Sequence, residues 1–132
     1  MRLQSLLSAS ATALLLAGTS AFTSLHRMHA HLVRAEPAVN DTIATSPKSV
    51  RLWFSEPLEL ALSRVKIVRI GGDTVRTSVL RHEGSAATTA SLDFSPPATA
   101  PGTYLVTYRV VARDGHPTVG SYNFVVRESG SK

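Results

Sequence analysis

Apolar and polar residues alternate with a period of two over much of this chain, the spacing of strands that bury one face. Val50, Leu52 and Phe54 alternate with Arg51, Trp53 and Ser55. Tyr104, Val106, Tyr108, Val110 and Ala112 form the longest such run, and Tyr122, Phe124 and Val126 the last. Leu32 to Ala35, Ser63 to Ile70, and the stretch marked by Ala90, Leu92 and Phe94 add three more. Gly71-Gly72-Asp73 is a hairpin signal, so Val75, Thr77 and Val79, alternating with Arg76 and Ser78, are predicted as its return strand. Turn residues separate the runs: Asn40-Asp41, Ser46-Pro47, Pro57, Glu83-Gly84-Ser85, Pro96-Pro97, Pro101-Gly102 and Asp114-Gly115-His116-Pro117. Leu58 to Ala61 is read as a helical turn at most. About seven strands with frequent turns predict an all-β, immunoglobulin-like sandwich of two antiparallel sheets.

The first 28 residues break this pattern. Arg2 supplies a positive charge, Leu6 to Gly18 is apolar and small, and Thr19-Ser20-Ala21 offers small residues at a cleavage position. That layout predicts a cleavable export signal over 1–28 and a single domain over 29–132. The apolar run is too short and too rich in Ser and Thr for a membrane span. The cut is predicted between 21 and 30: Ala21 and Ala30 have suitable chemistry, whereas Met28 is an unusual last leader residue.

Composition narrows the function classes. The chain has 14 Lys and Arg, 9 Asp and Glu, and a formal charge of +5. Setting aside Arg2 and Arg27 leaves 12 basic residues against the same 9 acidic ones, a balance of +3. These charges are scattered singly along the strands, which argues against nucleic acid as a partner. There is no cysteine. An exported domain without disulfides holds together by packing alone, and it offers no thiolate to a metal. No nucleophile elbow, catalytic triad or phosphate loop is present, so the chain is not read as an enzyme.

Three of the five histidines fall between His26 and His31. Two small polar clusters follow from this count. His29 and His31 are two residues apart near the start of the domain, and Asp114 and His116 are two apart in the last turn. In extended chain, residues i and i+2 project to one side, so each cluster can present two donors together. If the clusters meet, three imidazoles and a carboxylate form a nitrogen–oxygen set suited to Cu(II), Zn, Ni or Fe, with Cu(II) at the head of the affinity order. Were His29 exposed by processing, its amine could join in, and amine, backbone nitrogen and the third-residue imidazole of His31 could wrap Cu(II). The bland alternatives are a loose terminus and an Asp that bonds its own turn. Glu56, in Phe54-Ser55-Glu56-Pro57, is either a surface carboxylate or a further oxygen donor. His82, beside Glu83, is read as solvent-facing.

"HAHLVRAEPA" from His29, "LWFSEPLE" from Leu52 and "PGTYLVTYRVVARDGHPTVGSYNF" from Pro101 resemble the CopC family of periplasmic copper-resistance proteins. The resemblance spans the mature chain in order. It implies a small Greek-key β-sandwich that binds copper in the periplasm. It implies a Cu(II) site on His29, His31, Asp114 and His116, with Glu56 matching a carboxylate implicated in some members. Some members carry a Met-rich Cu(I) site in mid-chain. Ile70 to Thr89 has no methionine here, which marks a Cu(II)-only type. The chain is read as a monomer that sequesters or delivers Cu(II), and the resemblance suggests an inner-membrane transporter of the CopD type as the partner in delivery. Two rivals come from other classes: a copper-dependent oxidative enzyme with an N-terminal histidine chelate, and a metal-free immunoglobulin-like interaction module.

Overall fold

The computed structural model describes residues 29–95 and 100–128. The expected leader, the Pro96-Pro97 pair and the Ser-Gly-Ser-Lys tail lie largely or wholly outside the described residues. Among the described residues, seven strands form two sheets: β1 (Leu32–Glu36), β2 (Thr42–Ile43), β3 (Ser49–Phe54), β4 (Arg64–Arg69), β5 (Thr89–Asp93), β6 (Gly102–Val111) and β7 (Pro117–Val126). One sheet runs β1-β3-β5 and the other β2-β7-β6-β4. All pairings are antiparallel except the short β2–β7 contact. No described helix is long and apolar enough to cross a membrane.

The period-two pattern builds the core. Val50, Leu52 and Phe54 of β3 point inward, with Ala90 and Leu92 of β5 beside them and Ile67, Tyr104, Val106, Val110, Tyr122, Phe124 and Val126 opposite. Each fully buried Leu or Phe contributes on the order of 1.5–3 kcal/mol through removal from water. Tyr104 and Phe124, directly paired across β6 and β7, stack with ring centroids 5.2 Å apart and planes 8° from parallel. Pro57 lies just beyond the end of β3, and the suggested helical turn is a single 3-10 turn at Leu60–Leu62.

Three expectations are corrected. The predicted return strand over Val75–Val79 does not form as a hairpin partner of β4. Gly71 makes the turn at φ +76°, and Thr74 bridges Val68, but the chain then leaves that sheet. Thr77 bridges Phe94 and Arg81 bridges Ser91, both on the opposite sheet. The segment divides its backbone hydrogen bonds between two sheets, so its alternation never becomes one ladder, and Val79 is left 85% exposed. Second, Thr42–Ile43, read as loop, pairs in parallel with Val125 and Val126. Third, His82 is not solvent-facing. It is half-buried, with Nδ1 2.7 Å from the Thr89 carbonyl oxygen.

The outer face of the three-stranded sheet is covered by charge. Glu36 contacts both Arg34 and Arg51, Arg51 lies 3.2 Å from Glu83, and Arg81 reaches Glu83 and grips Asp93 at 2.9 and 3.0 Å. Arg34 lies over the Trp53 ring, 4.7 Å from its centroid. The only tryptophan is therefore capped by a guanidinium.

Candidate metal centre

The site begins with the pairing of β1 and β3. Leu32 pairs with Phe54, and the ladder runs on past both strands: Ser55 N–H donates to the His31 carbonyl at 3.0 Å. Ala30 is fully buried between two exposed histidines and anchors the start of the chain in the core. The chain leaving β3 then pairs in the other direction. Leu58 bridges Ala112, Glu59 N–H donates to the Val111 carbonyl at 2.8 Å, and Arg113 N–H donates to the Pro57 carbonyl at 2.9 Å. Residues 55–59 thus bind the N-terminal segment on one side and the end of β6 on the other. This shared connector brings the start of the domain to its last hairpin.

The hairpin itself is set by its sequence. Gly115 sits at φ +90°, a region favoured by glycine, and its N–H donates to the Ala112 carbonyl at 2.8 Å. Ala112 N–H donates to the His116 carbonyl at 3.0 Å. Asp114 Oδ1 accepts from His116 N–H at 3.0 Å, and its Oδ2 lies 3.1 Å from His116 Nδ1. The second contact is close but not aligned as a full hydrogen bond, since Nδ1 is buried without a well-directed partner. Donation from the His116 backbone N–H, more than any other cause, holds the Asp114 carboxyl below the ordinary carboxylate range. The His116 ring adds to this, and the nearby His29 ring adds a smaller electrostatic effect.

His29 meets His116 edge to face, with ring centroids 5.4 Å apart and planes 88° from parallel. So the residues from opposite ends of the domain are adjacent, and a carboxylate stands behind one of the two rings. His31 goes elsewhere. Its backbone N–H and its Nδ1 both lie 3.0 Å from Ser55 Oγ. Glu56 follows Ser55 in the connector and is half-buried. Among the described residues, no three His, Asp or Glu side chains converge on one point that an ion could occupy. The donor set nevertheless fits a borderline cation. With Nδ1 of His116 facing a carboxylate, its Nε2 is the free ring donor, the arrangement that outer-shell carboxylates impose on metal-binding histidines.

Sequence reasoning passed over Ser55, which was read only as the outward residue of an alternating strand. A lone serine at a strand end carries no signal of its own; its role becomes visible only through the pairing of β1 with β3.

Comparisons with known proteins follow the same outline. Residues 32–127 match the CopC domain family. Protein YobA of Escherichia coli K12 is 32% identical over 115 residues, covering 87% of this chain and 92% of that protein. The crystal structure of CopC from Methylosinus trichosporium OB3b superposes with a TM-score of 0.71 at 34% identity, over 79% of this chain and 99% of that one. PcoC, a methionine-rich copper resistance protein from Escherichia coli, superposes with a TM-score of 0.68 at 26% identity, over 76% of this chain and all of that one. With the sandwich, the family match and these relatives agreeing over nearly the whole domain, the chain belongs to the CopC family.

Proposed function

We propose that this chain is an exported periplasmic protein that binds Cu(II) and either sequesters it or delivers it. The observation that carries this reading is the edge contact between His29 and His116, residues from the two ends of the domain, with Asp114 behind the second ring. His29 and His116 supply the imidazoles, and Asp114 orients His116 or adds an oxygen. His31, with its ring on Ser55, and Glu56, the residue after Ser55, are the remaining candidate donors. Membership of the family agrees with a role that is not enzymatic.

The oxidation state follows from the donors. The chain has two methionines, Met1 and Met28, both ahead of His29, and no cysteine. The domain therefore offers no soft sulfur to Cu(I), in contrast to the methionine-rich PcoC, whereas imidazole and carboxylate suit Cu(II). Residues 1–28 as a cleaved leader, Greek-key connections, a monomeric state and an inner-membrane CopD-type partner complete the proposal.

Equilibrium dialysis of the exported protein against Cu(II), with intact mass spectrometry, tests it. One equivalent of copper per chain is expected, lost on His116→Ala. Absence of stoichiometric uptake would favour a metal-free interaction module. Reductant-dependent oxidation of polysaccharide by the loaded protein would favour the oxidative enzyme.

A further inference from the structure

Ser55 makes more contacts to the N-terminal histidines than any strand-end serine needs. Its Oγ accepts from His31 N–H at 3.0 Å, lies 3.0 Å from His31 Nδ1, and reaches the His29 carbonyl at 3.5 Å, while its own N–H donates to the His31 carbonyl at 3.0 Å. A hydroxyl has one proton and two acceptor sites. If that proton goes to His29 O, Nδ1–H of His31 donates to Oγ and Nε2 faces outward with its lone pair. If it goes to Nδ1, His31 carries its proton on Nε2. Both arrangements engage Nδ1, and both hold the His31 backbone N–H.

This hold matters for how an ion could be taken. A flexible terminus that begins His-Ala-His has a competing way to bind Cu(II). The terminal amine, the backbone nitrogens of the second and third residues, and Nδ1 of the third-residue ring wrap the ion, with the two backbone nitrogens giving up their protons. In this fold the proton on His31 N is bonded to Ser55 Oγ, His31 Nδ1 is occupied by the same oxygen, and Ala30 is fully buried. Wrapping would require the segment to peel away from β3 and Ala30 to leave the core.

We propose that Ser55 is a positioning residue of the copper site, one that pins the His29–His31 segment so that His29 faces His116 while His31 is kept from wrapping the ion through its own backbone nitrogen and Nδ1. This inference rests on the copper reading above. It makes the coordination mode a property of the fold rather than of the terminal sequence. Binding across two ends of the domain, not around one terminus, then follows from one hydroxyl and the connector that carries it.

The test compares Ser55→Ala, Ser55→Thr and His31→Ala, alone and with Ser55→Ala, in protein recovered after export. In the metal-free protein, Ser55→Ala should speed exchange of the His31 amide and change the ring's nitrogen NMR signature, with Ser55→Thr restoring both. With Cu(II), Ser55→Ala should weaken binding about 10-fold or more, the range for loss of an outer partner. Its electron paramagnetic resonance and visible spectra should shift toward a nitrogen-richer set, and that shift should vanish when His31→Ala is added. His31→Ala alone should not produce the nitrogen-richer spectrum. A Ser55→Ala spectrum identical to wild type, or a wild-type spectrum that already shows the nitrogen-richer, His31-dependent set, overturns the inference while leaving the copper reading intact. Failure of the unsubstituted protein to take up Cu(II) overturns both.

Discussion

Asp114 offers the sharpest probe of the site, because two substitutions remove different parts of its hold on His116. Oδ1 accepts from His116 N–H at 3.0 Å and shapes the turn; Oδ2, 3.1 Å from Nδ1, is the charge that favours the ring proton on that nitrogen. Asp114→Ala deletes both contacts, and the ring keeps free choice of tautomer. Asp114→Asn retains the Oδ1 acceptor, and so the turn, but places an NH2 donor where Oδ2 stood. That donor prefers a lone pair on Nδ1, which moves the ring proton to Nε2, the nitrogen left for the ion. The conservative change should therefore be the more damaging one. Loss of an outer-shell carboxylate costs about 10- to 100-fold in metal affinity. We expect Asp114→Ala near the lower end, about 10-fold, and Asp114→Asn near the upper, about 100-fold. Competition titration against a Cu(II) chelator of known affinity reads both. Asn binding as tightly as wild type, or more tightly than Ala, would refute the tautomer argument and leave Asp114 as a direct oxygen ligand or a bystander.

Three further outcomes are expected. Gly120→Ala would drive a Cβ into Tyr108 Oη and Cζ, so the ring must shift against Phe54, with which it packs edge-on at 5.4 Å. A cost of about 1–3 kcal/mol is expected, read as a lowered thermal midpoint, and an unchanged midpoint contradicts the packing. Leu52→Ala, fully buried in β3, should cost about 2–5 kcal/mol by denaturant titration; below its transition it should still bind one copper. Since the Asp114 carboxyl is held below its ordinary range, its contribution to the last turn is fully present above the unfolded value and is lost as pH falls through the depressed folded one. Carboxyl NMR titration of the metal-free protein should place it on the acid side of an ordinary Asp, and a midpoint at or above the ordinary range counts against the His116 N–H bond.

How much of this was legible in the sequence depends on the range of the interaction that decides each part. Val50, Leu52 and Phe54, or Tyr104 and Val106, declare their strand by spacing alone, since burial of one sheet face imposes a period of two. The Asp114-Gly115-His116 turn is equally local: the left-handed φ at Gly115 and the Asp-to-backbone bond lie within three residues. The segment from Thr74 to Arg81 misled because its alternation is real but serves two sheets in turn, and no local pattern records which sheet accepts each hydrogen bond. Thr42–Ile43 is too short to carry any period. His82 is drawn inward by a carbonyl on β5, seven residues away, which a polar neighbourhood does not forecast.

The candidate site shows the same division more sharply. Residue types and spacing mark His29, His31, Asp114 and His116 as donors, but not which of them act together. That is decided by residues 55–59, which contain no donor the pattern singled out except Glu56. Because Ser55 pairs with His31 while Pro57, Leu58 and Glu59 pair with Val111, Ala112 and Arg113, the distance between His29 and His116 is fixed by two short stretches of backbone ladder. Neither histidine has to be placed by its own rotamer alone. Inserting a residue between Ser55 and Leu58 would leave both strands and all four candidate ligands in place, yet displace one cluster from the other. The site's geometry is therefore a consequence of strand register at the end of β3, and the two histidines two residues apart part company because only the His31 ring lies within reach of the connector's hydroxyl.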